Sequence, residues 1–350
     1  MTQQTNSSAG ELRQDPISEN WVVIATERSK RPDDFNETKM SPARLPRYKE
    51  DCPFCNLGKY PQEPDVLRLP DDPEHWQVHI FGNKFPAFRP KDEFKTWMNG
   101  PYRSTEAVGY HELLATRWHN QHEALVPPAM LSLELEALVL RYRQLRVKPS
   151  VNYIQIIRNH GKEAGASLEH PHFQIFTVPV LPTDISALLH GAQQFADKNN
   201  KRAFTVLLEY ERSEQKRIVL ENEHFTVFCP FASRAPFEMW VMPRKSNPFF
   251  DSIGPEEREA LAEIMHQALG KLYAGLNDPP YNYYIHSAPC DDQGFVCNKD
   301  EFPNFRWHIQ IVPRLTVWAG FELGTGLEIN PTPPEEAAAF LRGQKLPMTI

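Results

Sequence analysis

One order of segments (strand, strand, helix, strand, strand) runs twice along the 350 residues, and such a repeat limits the fold to a pair of related units. In the first run, segment 81–88 (FGNKFPAF) leads to an alternating stretch at 111–116 (HELLAT) and an amphipathic stretch at 131–146. A strand pattern at 152–158 (NYIQIIR), a small-residue loop and a second strand pattern at 172–178 (HFQIFTV) complete it. The second run has 224–230 (HFTVFCP), 237–242 (FEMWVM), a helix, 281–285 and 307–312. Leu135, Leu138, Tyr142 and Leu145 recur every three or four residues, as do Leu261, Ile264, Ala268 and Leu272, while Pro255 with Glu256 and Glu257 suits a helix start. The alternating strands offer each helix a surface to cover. This predicts an α+β fold in two tandem units, mainly antiparallel sheet with helices packed on one face. The units are read as 11–200 and 201–350, joined through the polar stretch at 197–201 or 213–217, with 1–10 as a disordered tail. With 32 prolines against 16 glycines, stiff loops and few helices are expected.

The sharpest local signal is Glu169-His170-Pro171-His172-Phe173-Gln174, which follows the loop Asn159-His160-Gly161-Lys162-Glu163-Ala164-Gly165-Ala166-Ser167. On an extended backbone His170, His172 and Gln174 share one face, while Phe173 and Ile175 take the other. Such a polar row is either a solvated strand face with incidental histidines or a site. The loop before it, whose backbone can approach a phosphate and donate N–H groups, favours a site. So does an echo in the second run, Arg306-Trp307-His308-Ile309-Gln310. There His308 and Gln310 match His172 and Gln174 but Arg306 replaces His170, which leaves one competent nucleophile.

Cys52-Pro53-Phe54-Cys55 reads as half a metal site, as a redox pair or as inert thiols. Five cysteines, of which only these two lie close together, argue against a disulfide framework. Arg28, Lys30 and Arg31 read as a nucleic-acid patch, a solvated turn or a clamp for a diphosphate, and the net charge of −7 argues against the first. No apolar run approaches the ~20 residues of a membrane helix, and the polar start has no signal-peptide core. A cytoplasmic chain with neither nucleic-acid nor membrane partners is expected.

His-Pro-His-x-Gln behind an Asn/Gly/Ser loop, in a duplicated chain, resembles the galactose-1-phosphate uridylyltransferase branch of the histidine-triad superfamily. The resemblance extends over most of the chain. It takes in Leu12-Arg13-Gln14-Asp15-Pro16, Trp21-Val22-Val23-Ile24, Glu27-Arg28-Ser29-Lys30-Arg31-Pro32, the Cys52/Cys55 pair and Gly320-Phe321-Glu322. It implies two histidine-triad-like units and a ping-pong nucleotidyltransferase that moves UMP from a UDP-hexose to a hexose 1-phosphate such as galactose 1-phosphate. His172 would be the nucleophile that carries the uridylyl group, and Gln174 would hydrogen-bond the phosphate. Asn83, Asn159 and Ser167 would contact nucleotide or phosphate, and Glu322 the sugar hydroxyls. Arg28 and Arg31 would be donated across the interface of a homodimer. His170 and His119, with His122 the alternative to His119, would complete a structural zinc site with Cys52 and Cys55.

Gln174 also bears on the reaction class. Hydrolytic relatives carry there a histidine able to exchange a proton, which an amide is not, so transfer or phosphorolysis is expected rather than hydrolysis. A second, iron-binding site of some bacterial members is not expected, because Gln310 and Leu188 stand where a histidine and a carboxylate would join His286 and His308. Glu328 stands near a glutamine that contacts the hexose in the galactose enzymes, which leaves the sugar open. Segments 276–283 and 320–326 resemble ADP-sugar phosphorylases, whose acceptor is inorganic phosphate. A non-catalytic nucleotide-binding protein is the remaining alternative.

Overall fold

A computed structural model describes residues 10–25, 45–291 and 297–349. Strands β1 (Glu11–Gln14) and β2 (Trp21–Ile24) form a hairpin. Then come β3 (Asp65–Leu69), β4 (Val78–Gly82), the ribbon β5 (Thr96–Asn99) and β6 (Tyr102–Thr105), β7 (His111–Thr116), α1 (Pro128–Leu145), β8 (Tyr153–His160) and β9 (His172–Val178). Helices α2 (Thr183–Asn199) and α3 (Ala203–Glu214) lead to β10 (Ile218–Glu221), β11 (Phe225–Phe228), β12 (Met239–Pro243), α4 (Pro255–Leu276), β13 (Tyr281–His286) and β14 (His308–Pro313). Last are α5 (Gly320–Thr325), β15 (Glu328–Asn330) and α6 (Pro334–Gly343).

Ten strands form one antiparallel sheet in the order β10-β11-β12-β14-β13-β8-β9-β7-β4-β3. Each half contributes five strands in the same succession, so the repeat extends one strand further than the sequence pattern indicated. The added strands, β3 and β10, are the two edges. An edge strand of four or five residues pairs on one side only and has little alternation to show. The halves meet at β8 and β13, where Tyr281 lies opposite His160 and Asn282 opposite Asn159.

Helices α1 and α4 pack on one face, as their apolar stripes require. Leu131, Leu135, Leu138, Tyr142 and Leu145 of α1 are buried, as are Leu261, Ile264, Ala268 and Leu272 of α4. Each fully buried leucine contributes about 1.5–3 kcal/mol. Helix α1 starts three residues before the predicted 131, at Pro128, a residue suited to a first turn. Helix α4 opens at Pro255, with the Glu257 carboxylate accepting from Gly254 N–H at 3.1 Å, and ends at Asn277 in left-handed backbone, φ 54°.

The expectation of helices on a single face fails for the second half. Helices α2 and α3 cover its opposite face, where Ile185, Leu188, Leu189, Phe204 and Leu208 pack on Phe228, Trp240 and Met242. Both end on a left-handed residue, Asn200 and Gln215, within the polar stretches read as linkers. The same face of the first half carries His172 and Gln174 on β9, and α2 reaches it only at its seam end, where Tyr153 of β8 packs with Ile185 and Leu189. The β1–β2 hairpin lies against the second half in space: β15 pairs in parallel with β2, Val22 and Ile24 pack on Ala232, and Arg13 reaches Glu335 at 3.0 Å. Among the described residues no helix is long and apolar enough to cross a membrane.

Candidate active site

Strand β9 starts at His172, opposite Ala115 of β7, which sets His170 and His172 against the segment that holds the two close cysteines. His170 donates its Nε2–H to the Thr116 carbonyl at 2.7 Å, so its Nδ1 lone pair faces the thiols. That nitrogen lies 3.5 Å from both Cys52 Sγ and Cys55 Sγ, and His119 Nδ1 lies 3.5 Å from Cys55 Sγ. One ligand atom from each of Cys52, Cys55, His119 and His170 falls within 4.8 Å of the others. Two thiols and two imidazoles at this spacing suit a tetrahedral N/S-ligated ion with no open position. Burial pushes the Cys55 thiol up to about 11, so a bound cation would be needed to hold it as thiolate at neutral pH. Among the described residues the buried His119 Nε2 has no hydrogen-bond partner, the Glu169 carboxylate standing off at 3.9 Å.

His122 lies apart from this cluster. Its Nδ1 accepts from Ala124 N–H at 3.0 Å, so its proton sits on Nε2, 3.2 Å from the Asp278 carboxylate. His160 Nε2 approaches the same oxygen at 2.8 Å. These three could in principle hold a metal, but the tautomer of His122 leaves no lone pair on the nitrogen that faces Asp278.

His172 is 6% exposed, and its Nδ1–H donates to the His170 carbonyl at 2.8 Å. Its Nε2 has no hydrogen-bond partner among the described residues. Burial, with Arg158's charge behind it, pushes the imidazole down to about 4, so the ring is neutral at physiological pH. Arg158 sits on the helix side of β8, bound to Glu123 at 2.6 Å, and donates to the Asn159 carbonyl at 2.6 Å. Phe54, between the two cysteines, sets its ring edge against His170 and His172 at centroid distances of 5.6 and 5.4 Å.

Gln174 Oε1 lies 3.0 Å from His111 Nε2, and Asn83 Nδ2 lies 2.9 Å from the same nitrogen. Asn159 accepts from Asn282 of β13. Phe54, His111, Arg158 and Asn282 were not legible as site residues. His111 was read only as the start of a strand, and Asn282 reaches Asn159 through a strand order that periodicity does not encode.

A cleft of about 840 Å³ borders the loop, lined by Lys49, Asn159, Lys162, Ser167 and Asp278 among others. His172 and Gln174 are not among its lining residues. The loop departs from expectation: Ala164 and Ala166 N–H bond to the Gly161 carbonyl and Gly165 N–H to that of Lys162, so those three donors are engaged within the loop. Gly161 is needed, since its φ is +82° and a Cβ there would come within 2.7 Å of Pro280. Glu322 stands on exposed α5, its carboxylate accepting from Ala319 N–H at 2.9 Å, and does not line the cleft. Arg28 and Arg31 lie outside the described residues.

The second half repeats the histidine geometry behind a cover. His308 donates its Nδ1–H to the Arg306 carbonyl at 3.0 Å, as His172 does to His170, but Trp240 stacks on it at 4.7 Å and Phe204 lies at 5.6 Å. His286 meets Gln310 at 3.0 Å, and Gln310 donates to Glu238 at 2.8 Å. Leu188 is core on α2. Glu328 is buried and paired with Arg234 at 2.7 Å.

Residues 1–182 match the family described as galactose-1-phosphate uridyl transferase, N-terminal domain, and residues 121–342 match a domain of unknown function, DUF4921. The chain is 32% identical over 335 residues to ADP-glucose phosphorylase of Arabidopsis thaliana, covering 95% of this chain and 92% of that protein. It is 31% identical over 342 residues to galactose-1-phosphate uridylyltransferase of Thermotoga maritima, covering 95% and 98%. The crystal structure of an ADP-glucose phosphorylase from Arabidopsis thaliana with bound ADP-glucose superposes with a TM-score of 0.81 at 29% identity, over 97% of this chain and 100% of the other. A uridylyltransferase structure does so with 0.70 at 26% identity, over 95% and 97%.

Proposed function

Because the chain belongs to the galactose-1-phosphate uridyl transferase family, we propose that it is a nucleotidyltransferase whose His172 carries the nucleotidyl group between a nucleotide sugar and an acceptor phosphate. The observation that carries this reading is the state of that imidazole: neutral, oriented through Nδ1–H to the His170 carbonyl, with Nε2 unpartnered. Nε2 attacks the α-phosphorus. The N–P bond forms as the bond from that phosphorus to the bridging oxygen breaks, and the sugar 1-phosphate leaves with the electron pair. An oxygen of the acceptor phosphate then displaces the imidazole. Gln174 offers no exchangeable proton with which to activate water.

Asn83, Asn159, Ser167 and Gln174 would donate to nucleotide or phosphate oxygens, and Glu322 would meet sugar hydroxyls. Arg28 and Arg31 would clamp the diphosphate from a second copy of the chain in a homodimer. Zinc bound by Cys52, Cys55, His119 and His170 would be structural, fixing the start of β9 so that His172 is aimed.

The donor and acceptor read from the family name are a UDP-hexose and galactose 1-phosphate. A second reading, an ADP-sugar with inorganic phosphate as acceptor, is favoured by the likeness to the ADP-glucose phosphorylase, with its TM-score of 0.81. Intact-protein mass after brief mixing with UDP-glucose or ADP-glucose, without acceptor, tests the chemistry and names the base. A nucleotidyl-sized gain on the wild type and none on His172→Gly is expected. No gain with either donor, or an equal gain on the variant, overturns the assignment.

A further inference from the structure

Resting on the nucleotidyl-transfer reading, we infer that His111 and Asn282 are positioning residues that turn two site amides donor-outward. His111 holds the oxygen of Gln174 and Asn282 holds the oxygen of Asn159, so that both present NH2 groups to the ligand's phosphates.

The orientation follows from two backbone groups whose roles are fixed. Ala87 N–H can only donate, and it lies 3.1 Å from His111 Nδ1, so in the neutral ring the proton is on Nε2. That Nε2–H meets the Gln174 amide at 3.0 Å, where an oxygen is therefore required, and Gln174 Nε2 has no partner among the described residues. Stacking on Phe176, at 4.0 Å and 28°, fixes the plane of the His111 ring. Asn83, its Oδ1 occupied by Phe85 N–H at 2.9 Å, brings its Nδ2 to 2.9 Å from the same ring nitrogen; this second donor competes for that side of the ring and favours the opposite tautomer, which additive losses in the Gln174 cycle below would reveal.

The second relay crosses the seam between the halves. The Ala164 carbonyl can only accept, and it lies 2.7 Å from Asn282 Nδ2. The other hydrogen of that NH2 reaches Asn159 at 2.8 Å, so the contacted atom is Oδ1 and Nδ2 is the free end. Asn282 is 8% exposed and supplies both bonds from one amide, which ties the loop and the site strand to β13. A phosphate oxygen only accepts. An amide turned the other way would put oxygen against oxygen, so an unheld Gln or Asn spends part of its time repelling the ligand.

The test is calorimetric binding of UDP and ADP, with uridine and adenosine as phosphate-free references. His111→Phe keeps the stack and loses the donor; Asn282→Asp keeps the shape and loses the donor, and Asn282→Ser serves if the Asp variant does not fold. Each single variant is expected to weaken binding of the preferred diphosphate by about 10- to 100-fold and leave the nucleoside unchanged. In the backgrounds Gln174→Ala and Asn159→Ala respectively, the same change should add no further loss, because the residue acts only through its amide. Additive losses, equal losses for nucleoside and diphosphate, no loss at all, or a wild type that binds neither diphosphate would overturn the inference. A wild type that binds diphosphate but forms no nucleotidyl adduct refutes the proposed chemistry, while the cycles still judge the positioning.

Discussion

Phe54 shows how a motif is read for its reactive atoms while the residue between them goes unread. Cys52-Pro53-Phe54-Cys55 draws attention for its thiols, yet the ring of Phe54 is 4% exposed and touches both motif histidines edge-on. Nothing in the spacing tells that this side chain turns inward, because a turn of four residues has no period. Phe54→Ala is expected to cost about 3–5 kcal/mol of stability and to slow adduct formation on His172, whereas Phe54→Leu keeps most of the stability. Thermal melts with a rapid-quench mass assay check both, and an unchanged adduct rate in a destabilised Phe54→Ala would reduce the ring to packing. By contrast Cys52, Cys55, His119 and His170 were all named from the sequence through the resemblance, and the fold brings them together. Cys52→Ser should lower bound zinc below one per chain and lower the melting temperature more than the rate of chemistry. Stoichiometric zinc in that variant would show the ligand set to be wrong.

Strands and helices with strong periodicity, β9, α1 and α4 among them, were legible because one face of each is mainly apolar. Helices α2 and α3 were not legible in the repeat, although Ile185, Leu188, Leu189 and Ala192 recur at helical spacing, since they are an insertion between the halves that neither unit's pattern encodes. Strand β8 carries a feature no pattern reveals. Beneath it Arg158 and Glu123 form a buried pair at 2.6 Å, and Glu134 of α1, also buried, has an Oε1 unpartnered among the described residues. Burial and the Glu123 charge raise the Glu134 carboxyl well above its ordinary range. A raised carboxyl is no burden below its unfolded value of about 4.3 and increasingly opposes folding as pH rises above it. Glu134→Gln should therefore raise the melting temperature at pH 7 by on the order of 2–4 °C, with the gain vanishing below about pH 4. A gain that persists at pH 3, or a loss at pH 7, would refute the account.

At the scale of the molecule the duplication was legible, but not that the halves form one sheet, because the pairing of β8 with β13 joins residues more than a hundred positions apart. The proposed homodimer is open to a direct test. If Arg28 serves the site of a second copy, then co-expressing His172→Gly, inactive alone, with Arg28→Ala, weakened in nucleotide-sugar binding, should recover about a quarter of wild-type activity at low donor concentration, from mixed dimers with one intact site. No recovery in mixed dimers shown to form would place the arginine in its own chain's site. The seam between β8 and β13 has a consequence of its own. Were the halves separate chains, those two strands would be bare edges, satisfied only by each other. The polypeptide is in effect a pair of protomers written on one ribbon, free of the symmetry that makes both members of a true pair change together. One protomer-equivalent could thus bury its histidine under Trp240 and Phe204 and keep its backbone as a buttress, while the other kept its own histidine free of such a stack.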